Sequence, residues 1–296
     1  MRVKVWGARG SVPAPGPATA RYGGNTSCVQ VTLDDGTVVI LDAGTGIRTL
    51  GLAMPEVLDG PLHILLTHLH LDHIQGLMFF APAFRPDAEI VIWGPFDESC
   101  SLQDRIGRYI SAPLTPVEVR ELPCRVSFRE ADPAQWTIGA AMVEAASITH
   151  RGPTLGFRIS EGDQTVVFMP DHEPGLGTPL DRLEDEWVSG LALARGADLL
   201  IHDCQYTDEE YPRHLGWGHT PLSDAIELAD RAGAGRLALF HHDPLHDDAF
   251  LDAMAADARD RWAARGRDPD TVCLAREGDE LELGHRAQAA VRRAVP

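Results

Sequence analysis

The sequence predicts an α/β protein built as one layered domain, with helices covering a sheet core. Three observations carry this. Short apolar runs with strand punctuation occur along the whole chain, amphipathic helical patterns are interleaved among them, and neither a linker nor an internal repeat divides the 296 residues.

In chain order, residues 2–6, 27–33, 38–43 and 63–67 are β-type runs bounded by Gly, Asp or Pro, and a Gly-rich loop at 7–25 joins the first two. Further strands are expected at 89–93, 142–148, 155–159, 165–169, 198–202, 236–240 and 271–275. Two helices stand out. Over 221–232, Leu222, Ile226 and Ala229 share one face, and over 247–265, Leu251, Met254, Ala258 and Trp262 recur at helical spacing. These elements place the domain at 1–283. The remaining 284–296 is a basic tail whose three Arg and no acid read as a solvated end.

Composition narrows the partners. Twenty-six Lys and Arg against 44 Asp and Glu leave a net charge of −18, a field that repels nucleic-acid phosphates at long range and disfavours extended polynucleotide. The longest uncharged apolar stretch, 74–84, is too short for a membrane span of about 20 residues. The N-terminus lacks an apolar signal core, so a cytoplasmic protein is expected. The 5 Cys are odd in number and contain no CxxC, which points to reduced thiols and away from a cysteine-based metal site.

Chemistry enters at residues 67–73, T-H-L-H-L-D-H, directly after an apolar strand. Three imidazoles and a carboxylate on one loop are transition-metal ligands. With 13 His in the chain, the pattern H-x-H-x-D-H is expected by chance on the order of 0.002 times, so it is a signal. His68 and His70, two apart, project to one side of an extended segment, whereas adjacent Asp72 and His73 diverge and suit a second ion. One loop cannot complete two coordination shells. Further ligands are expected at other strand ends, where His150, Asp171 and His241 each follow a β run.

At this point the chain resembles the metallo-β-lactamase fold hydrolases, and within them the phosphodiesterase branch containing ribonuclease Z and the cyclic-nucleotide phosphodiesterases. The resemblance rests on WGARGSVPAPG with YGGNTSC, LDAGTGIR, THLHLDHIQG, ITHRGPTLGFRI, MPDHE, LLIHDCQYT, GWGHTPLSDAIELADRAG and LALFHHDP, in family order. It implies an αββα four-layer sandwich. It also implies His68, His70 and His150 on one ion, Asp72, His73 and His241 on the other, and Asp171 bridging, with Asp72 counted among the catalytic residues too. Where the family has one His after the strand, this chain has His241 and His242, and register favours His241. His219 looks like the family's proton-donating histidine and Asp203 like its acidic partner, a pairing that yields a general acid near neutrality. The ions are expected to be two divalent transition metals, zinc with manganese as the rival.

Other residues stay open. The 23–27 turn either cradles a phosphate through backbone N–H groups or makes a tight loop, and Trp217 and Tyr206 either stack on a base or pack in the core. His63, His172, His202, His214, His242 and His246 carry no independent ligand argument.

A dinuclear centre with a separate proton donor fits phosphodiester hydrolysis better than lactam or thioester hydrolysis. In ribonuclease Z enzymes that grip tRNA with a long arm, the arm lies between the positions matching His150 and Asp171 or nearby. Here 20 residues lie between them, and 181–215 holds nine acids and three Arg. The expected substrate is therefore a small phosphodiester, a cyclic nucleotide first, with ribonuclease Z-like tRNA processing as the alternative. A homodimer is expected from the resemblance alone. A non-catalytic metal-binding sensor or scaffold would be marked by a lost ligand, and every family ligand position is filled.

Overall fold

The computed structural model describes residues 1–284 and the backbone of 291–292. The first half supplies β1 (Arg2–Gly7), β2 (Cys28–Thr32), β3 (Val38–Leu41), β4 (Leu62–Leu65), β5 (Glu89–Pro95) and β6 (Arg125–Ala131) to one sheet. A second sheet follows from β7 (Ala134–Ile138), β8 (Ala141–Ser147), β9 (Leu155–Glu161), β10 (Gln164–Met169), β11 (Leu199–Asp203), β12 (Leu237–Phe240) and β13 (Val272–Leu274). The chain then returns to the first sheet as β14 (Glu280–Glu282) beside β1, with β15 (Val291–Arg292) outside it. Apart from that two-residue strand, the basic tail expected at 284–296 lies outside the described residues.

Alternation along the strands explains the layering, because successive side chains point to opposite faces. Val39 and Leu41 of β3, Val166 and Phe168 of β10, and Ala238 and Phe240 of β12 belong to the core between the sheets. Their neighbours face outward. Ile40, Ile64, Ile90 and Ile92 join one buried cluster with residues of α1 (Gly46–Ala53), of the turns after α2 (Leu71–Ile74) and of α3 (Leu102–Tyr109). On the other side Val167, Met169, Leu200 and Leu239 meet α4 (Leu191–Ala194), α5 (Leu222–Arg231) and α6 (Asp248–Ala264). Each such fully buried aliphatic or Phe side chain stabilises the fold by roughly 1.5–3 kcal/mol. The result is an αββα sandwich in which both faces of the central strands of each sheet are covered.

The expected strands and the two expected helices are all present with bounds shifted by at most a few residues. Sequence pattern did not reveal β6 and β7. Each is an outer strand, one per sheet, whose R-V-S-F-R-E-A and A-Q-W-T-I stretches carry the polar residues that blunt an exposed edge. Helix α3 was also hidden, since only Leu102 and Ile106 are buried and a Ser101 cap accepting from the Asp104 N–H starts it. Among the described residues, no helix is long and apolar enough to cross a membrane.

Topology positions the chemistry. Strands β3, β4 and β5 run parallel in one sheet and β10, β11, β12 and β13 in the other. Their carboxyl ends open on the same edge of the sandwich, the usual place for a ligand site in parallel sheets.

Candidate metal centre

The site residues lie at strand ends on that edge or in the helix and loops beside them. His68 follows β4, His70 caps the N-terminus of α2, and Asp72 and His73 lie inside α2. Asp171 follows β10, Asp203 ends β11, His241 follows β12, His150 sits between β8 and β9, and His219 precedes α5. His241 adopts φ +61°, a left-handed backbone that is sparse for residues other than glycine, and this turn points its ring back over the sheet end. Gly10 leaves it room: a Cβ there would meet His241 Nδ1 at 2.4 Å.

These residues converge as two clusters sharing one carboxylate. Asp171 Oδ2 lies 3.8 Å from His68 Nε2 and 3.6 Å from His150 Nε2, while His70 turns Nδ1 to 3.3 Å from His150 Nε2. The other oxygen, Oδ1, lies 3.0 Å from His73 Nε2 and 3.2 Å from His241 Nε2. Asp72 Oδ2 completes the second group at 3.3 Å from His73 Nε2 and 3.2 Å from His241 Nε2. Potential ligand atoms of His68, His70, His150 and Asp171, and separately of Asp72, His73 and His241, all lie within 4.8 Å of one another.

A surrounding set of acceptors fixes the rings. Asp42 takes the Nδ1–H of His73 at 2.7 Å, the Gly218 carbonyl that of His150 at 2.7 Å, and Gln205 Oε1 that of His241 at 3.0 Å. Thr67 Oγ1 donates to Asp42 and so accepts from His68 Nδ1 at 3.1 Å. In all four histidines a neighbour occupies Nδ1 and Nε2 is turned toward the cluster, the arrangement that metal-binding imidazoles need. Asp42 is itself held by Ser27 Oγ and the Thr67 N–H, and Asp72 accepts the Ser11 N–H.

Electrostatics and valence both call for cations there. Burial opposes charge on His73, yet Asp171, Asp72 and Asp42 together raise its pKa well above the ordinary imidazole value. Burial likewise opposes ionisation of Asp171, and His241, His73 and His68 hold its pKa well below the usual carboxylate range. His68, by contrast, is driven well down by burial and by neighbouring imidazoles. The ion-pair partners of Asp42, Asp72 and Asp171 among the described residues are all histidines. Nε2 of His68, Nε2 of His73 and Oδ1 of Asp171 are buried without a hydrogen-bond partner. Orphaned buried acceptors beside imidazole and carboxylate donors fit divalent metal ions.

Beside the clusters stands a separate pair. His219 Nδ1–H donates to Asp203 Oδ2 at 2.7 Å, which leaves Nε2 available to the site. Burial alone would depress the imidazole, but the Asp203 carboxylate overrides it and holds the pKa at about 9. Asp203 is fully buried and also accepts backbone N–H groups of His172, Gln205 and Thr220.

The two histidines after β12 point in different directions. His242 donates Nε2–H to the Ala275 carbonyl at 2.8 Å, away from the cluster, while His241 faces it. His172 and His202 bond to each other at 2.9 Å in the interior, and burial keeps His202 neutral with a pKa near 4. The 23–27 turn is a tight loop and no open cradle, since the N–H groups of Gly23, Asn25 and Thr26 go to Thr19, Glu277 and Thr45. Tyr206 is buried and stacked on His214 at 4.2 Å, whereas Trp217 is exposed.

Sequence reading passed over three residues that shape the centre. Asp42 and Glu173 stand inside the LDAGTGIR and MPDHE motifs, and Gln205 follows Asp203 by two. Glu173 is buried and accepts from Tyr211 Oη at 2.8 Å, Gly216 N at 2.9 Å and Gly218 N at 2.8 Å, thereby holding the loop that carries His219. Nothing in their spacing distinguishes them from surface acids and amides; only the fold brings them behind the ligands.

Known proteins share this architecture. The model of the beta-lactamase superfamily domain matches residues 37–242, well over half of the chain. A ribonuclease Z of Gemmatimonas aurantiaca is 26% identical over 306 aligned positions, covering 87% of this chain and 90% of that protein. Human tRNase Z, short form, superposes with a TM-score of 0.66 at 22% identity, covering 96% of this chain and all of that one. A diphosphatase from the PhnP family superposes at 0.67 with 17% identity over 96% and 98% of the two chains. The chain belongs to the beta-lactamase superfamily, as a hydrolase of the metallo-β-lactamase fold.

Proposed function

We propose that this protein is a dinuclear metal-dependent phosphodiesterase acting on a small phosphodiester, with a cyclic nucleotide as the first candidate. The observation that carries the reading is the Asp171 carboxylate, whose two oxygens address two separate imidazole clusters. His68, His70 and His150 would hold one ion, Asp72, His73 and His241 the other, with Asp171 between them. Bound divalent ions, zinc by the imidazole content, supply an activated water and neutralise phosphoryl charge. The chain's own residues do the rest. Asp42, Gln205, Thr67 and the Gly218 carbonyl hold the Nδ1 atoms of His73, His241, His68 and His150, so that each of these four rings offers Nε2. His219, charged through its contact with Asp203, presents Nε2–H to the leaving oxygen, a task that a ribose alkoxide requires more urgently than an activated lactam.

Two features support a small substrate. The 20 residues between His150 and Asp171 include the hairpin β9–β10, which leaves no length for an arm at that point. The 181–215 stretch is strongly acidic, and net charge is −18. The relatives named ribonuclease Z favour a second reading, cleavage of precursor tRNA, at 26% identity over most of the chain. A homodimer in the cytoplasm accompanies the first reading as an expectation, checked by light scattering and fractionation. A panel of 3′,5′-cyclic nucleotides, 2′,3′-cyclic nucleotides and precursor tRNA with zinc-loaded protein separates the readings. Faster cyclic-nucleotide turnover supports the first, and faster tRNA cleavage at physiological salt replaces it with the second.

A further inference from the structure

Next to the proton donor, the protein exposes apolar side chains that its fold does not require. Trp217 is 55% exposed, Leu215 52% and Leu176 65%. They come from two turns in contact: a Cβ at Gly177 would meet Leu215 Cδ2 at 2.8 Å. Leu176 has φ +45°, a left-handed conformation that costs a bulky side chain energy.

This surface is fixed in place from beneath. The Glu173 carboxylate holds the N–H groups on either side of Trp217, those of Gly216 and Gly218, and the Arg151 Nε–H donates to the Gly216 carbonyl at 3.0 Å. A row of rings then connects the surface to the acid. Trp217 lies edge-on to His214 at 5.0 Å, His214 stacks on Tyr206 at 4.2 Å, and Tyr206 lies edge-on to His219 at 6.0 Å. Two peptide units separate Trp217 from His219, so their Cα atoms are at most about 7 Å apart. A rigid, exposed aromatic at that distance from the proposed general acid is within reach of the group that carries the leaving oxygen.

We propose that Trp217, backed by Leu215 and Leu176 and held by Glu173, is the platform on which the aromatic base of a nucleotide substrate stacks, on the leaving-oxygen side of the scissile bond. The inference rests on the phosphodiesterase reading above and names the part of the substrate that reading leaves open. A base suits the surface because each offers a flat π-face whatever its hydrogen-bonding edge. A second protein chain suits it less, since three side chains fall far short of the roughly 800 Å² per partner that a stable interface buries.

The test compares two substrates of the full-length, zinc-loaded protein: 3′,5′-cyclic AMP and 1-deoxyribose 3,5-cyclic phosphate, which has the same phosphodiester ring and no base. Trp217→Ala should raise KM for cyclic AMP by roughly 5- to 100-fold, the worth of one base stacked on an aromatic ring, with a much smaller change for the base-free compound. Trp217→Phe should recover most of the loss. Equal changes on both compounds, or none on either, overturn the platform. A dimer that dissociates in Trp217→Ala while the KM ratio stays fixed assigns the surface to a second copy of the chain and overturns it as well. Wild-type protein that cleaves precursor tRNA but neither cyclic compound removes the small-substrate reading and the platform together.

Discussion

At the scale of single residues, the centre consists of imidazoles whose protonation is set from behind. His219 is the clearest case. Its pKa of about 9 lies above the ordinary 6.5, so its pairing with Asp203 contributes stability fully below pH 6.5 and loses it as pH rises through 9. NMR titration of the metal-free protein should find that value in the wild type and a fall toward 6.5 in Asp203→Asn; an unmoved titration would separate the two residues. Divalent ions nearby favour the neutral ring, so the alkaline limb of activity in the loaded enzyme should fall below pH 9. Removing the acid should also discriminate leaving groups. His219→Ala should cost cyclic-nucleotide hydrolysis roughly 10²- to 10⁴-fold and spare a p-nitrophenyl phosphodiester most of that loss, because p-nitrophenolate departs unprotonated. Equal losses together with lost metal would make His219 a ligand. Asp42 acts one bond further out: Asp42→Asn keeps the shape but weakens the acceptor of His73 Nδ1–H, and zinc affinity should drop about 10- to 100-fold in a chelator competition. Four of the ligand candidates were legible in sequence because H-x-H-x-D-H is improbable and local, and His150, Asp171 and His241 because each follows a β run in the order of the resemblance. Asp42 and Glu173 were not, because what they do depends on partners 31 and 43 to 45 residues distant.

At the scale of elements, legibility followed burial. Strands β3, β10 and β12 carry apolar residues on both faces and show in the sequence as continuous runs, whereas β6 and β7 at the sheet edges look like loops. Two elements near the centre carry testable tension. In the first turn of α5, burial and then the nearby acids Asp208, Asp181 and Glu227 raise the Asp224 carboxyl to about 6. Its folded pKa exceeds its unfolded value, so the protonated form favours folding and that advantage disappears as pH rises through 6. Asp224→Asn should therefore raise the unfolding midpoint at pH 8 more than at pH 5, by about 2 °C for each kcal/mol gained in a chain of this size. A larger gain at pH 5 would contradict the assignment. In the 211–218 loop, Glu173→Gln places a donor opposite the Gly216 or Gly218 N–H, at a cost of about 1–3 kcal/mol. Amide exchange should speed up at Gly216 and Gly218 and stay slow in β12; uniform loss of protection would show Glu173 to be a general support of the fold.

At the scale of the whole molecule, a sandwich of two sheets brings seven ligand candidates from four separate segments to one edge. Its net charge of −18 surrounds that edge with a repulsive field for polyanions. The two substrate readings then differ in their response to salt. A chain that grips precursor tRNA must neutralise several phosphates, and releasing their counterions makes affinity fall steeply with salt, by roughly 10³- to 10⁵-fold between 50 and 200 mM for 6–10 contacts. A cyclic nucleotide carries one charge, met inside the metal site and little changed by screening over a Debye length of about 8–10 Å. kcat/KM for cyclic AMP should accordingly vary by less than about threefold over that range, and any precursor tRNA cleavage should remain slower throughout. Cleavage of tRNA that is fast at 50 mM and collapses by 200 mM would identify a phosphate-binding surface that the acidic 181–215 stretch does not suggest, and the ribonuclease Z reading would replace the small-substrate one.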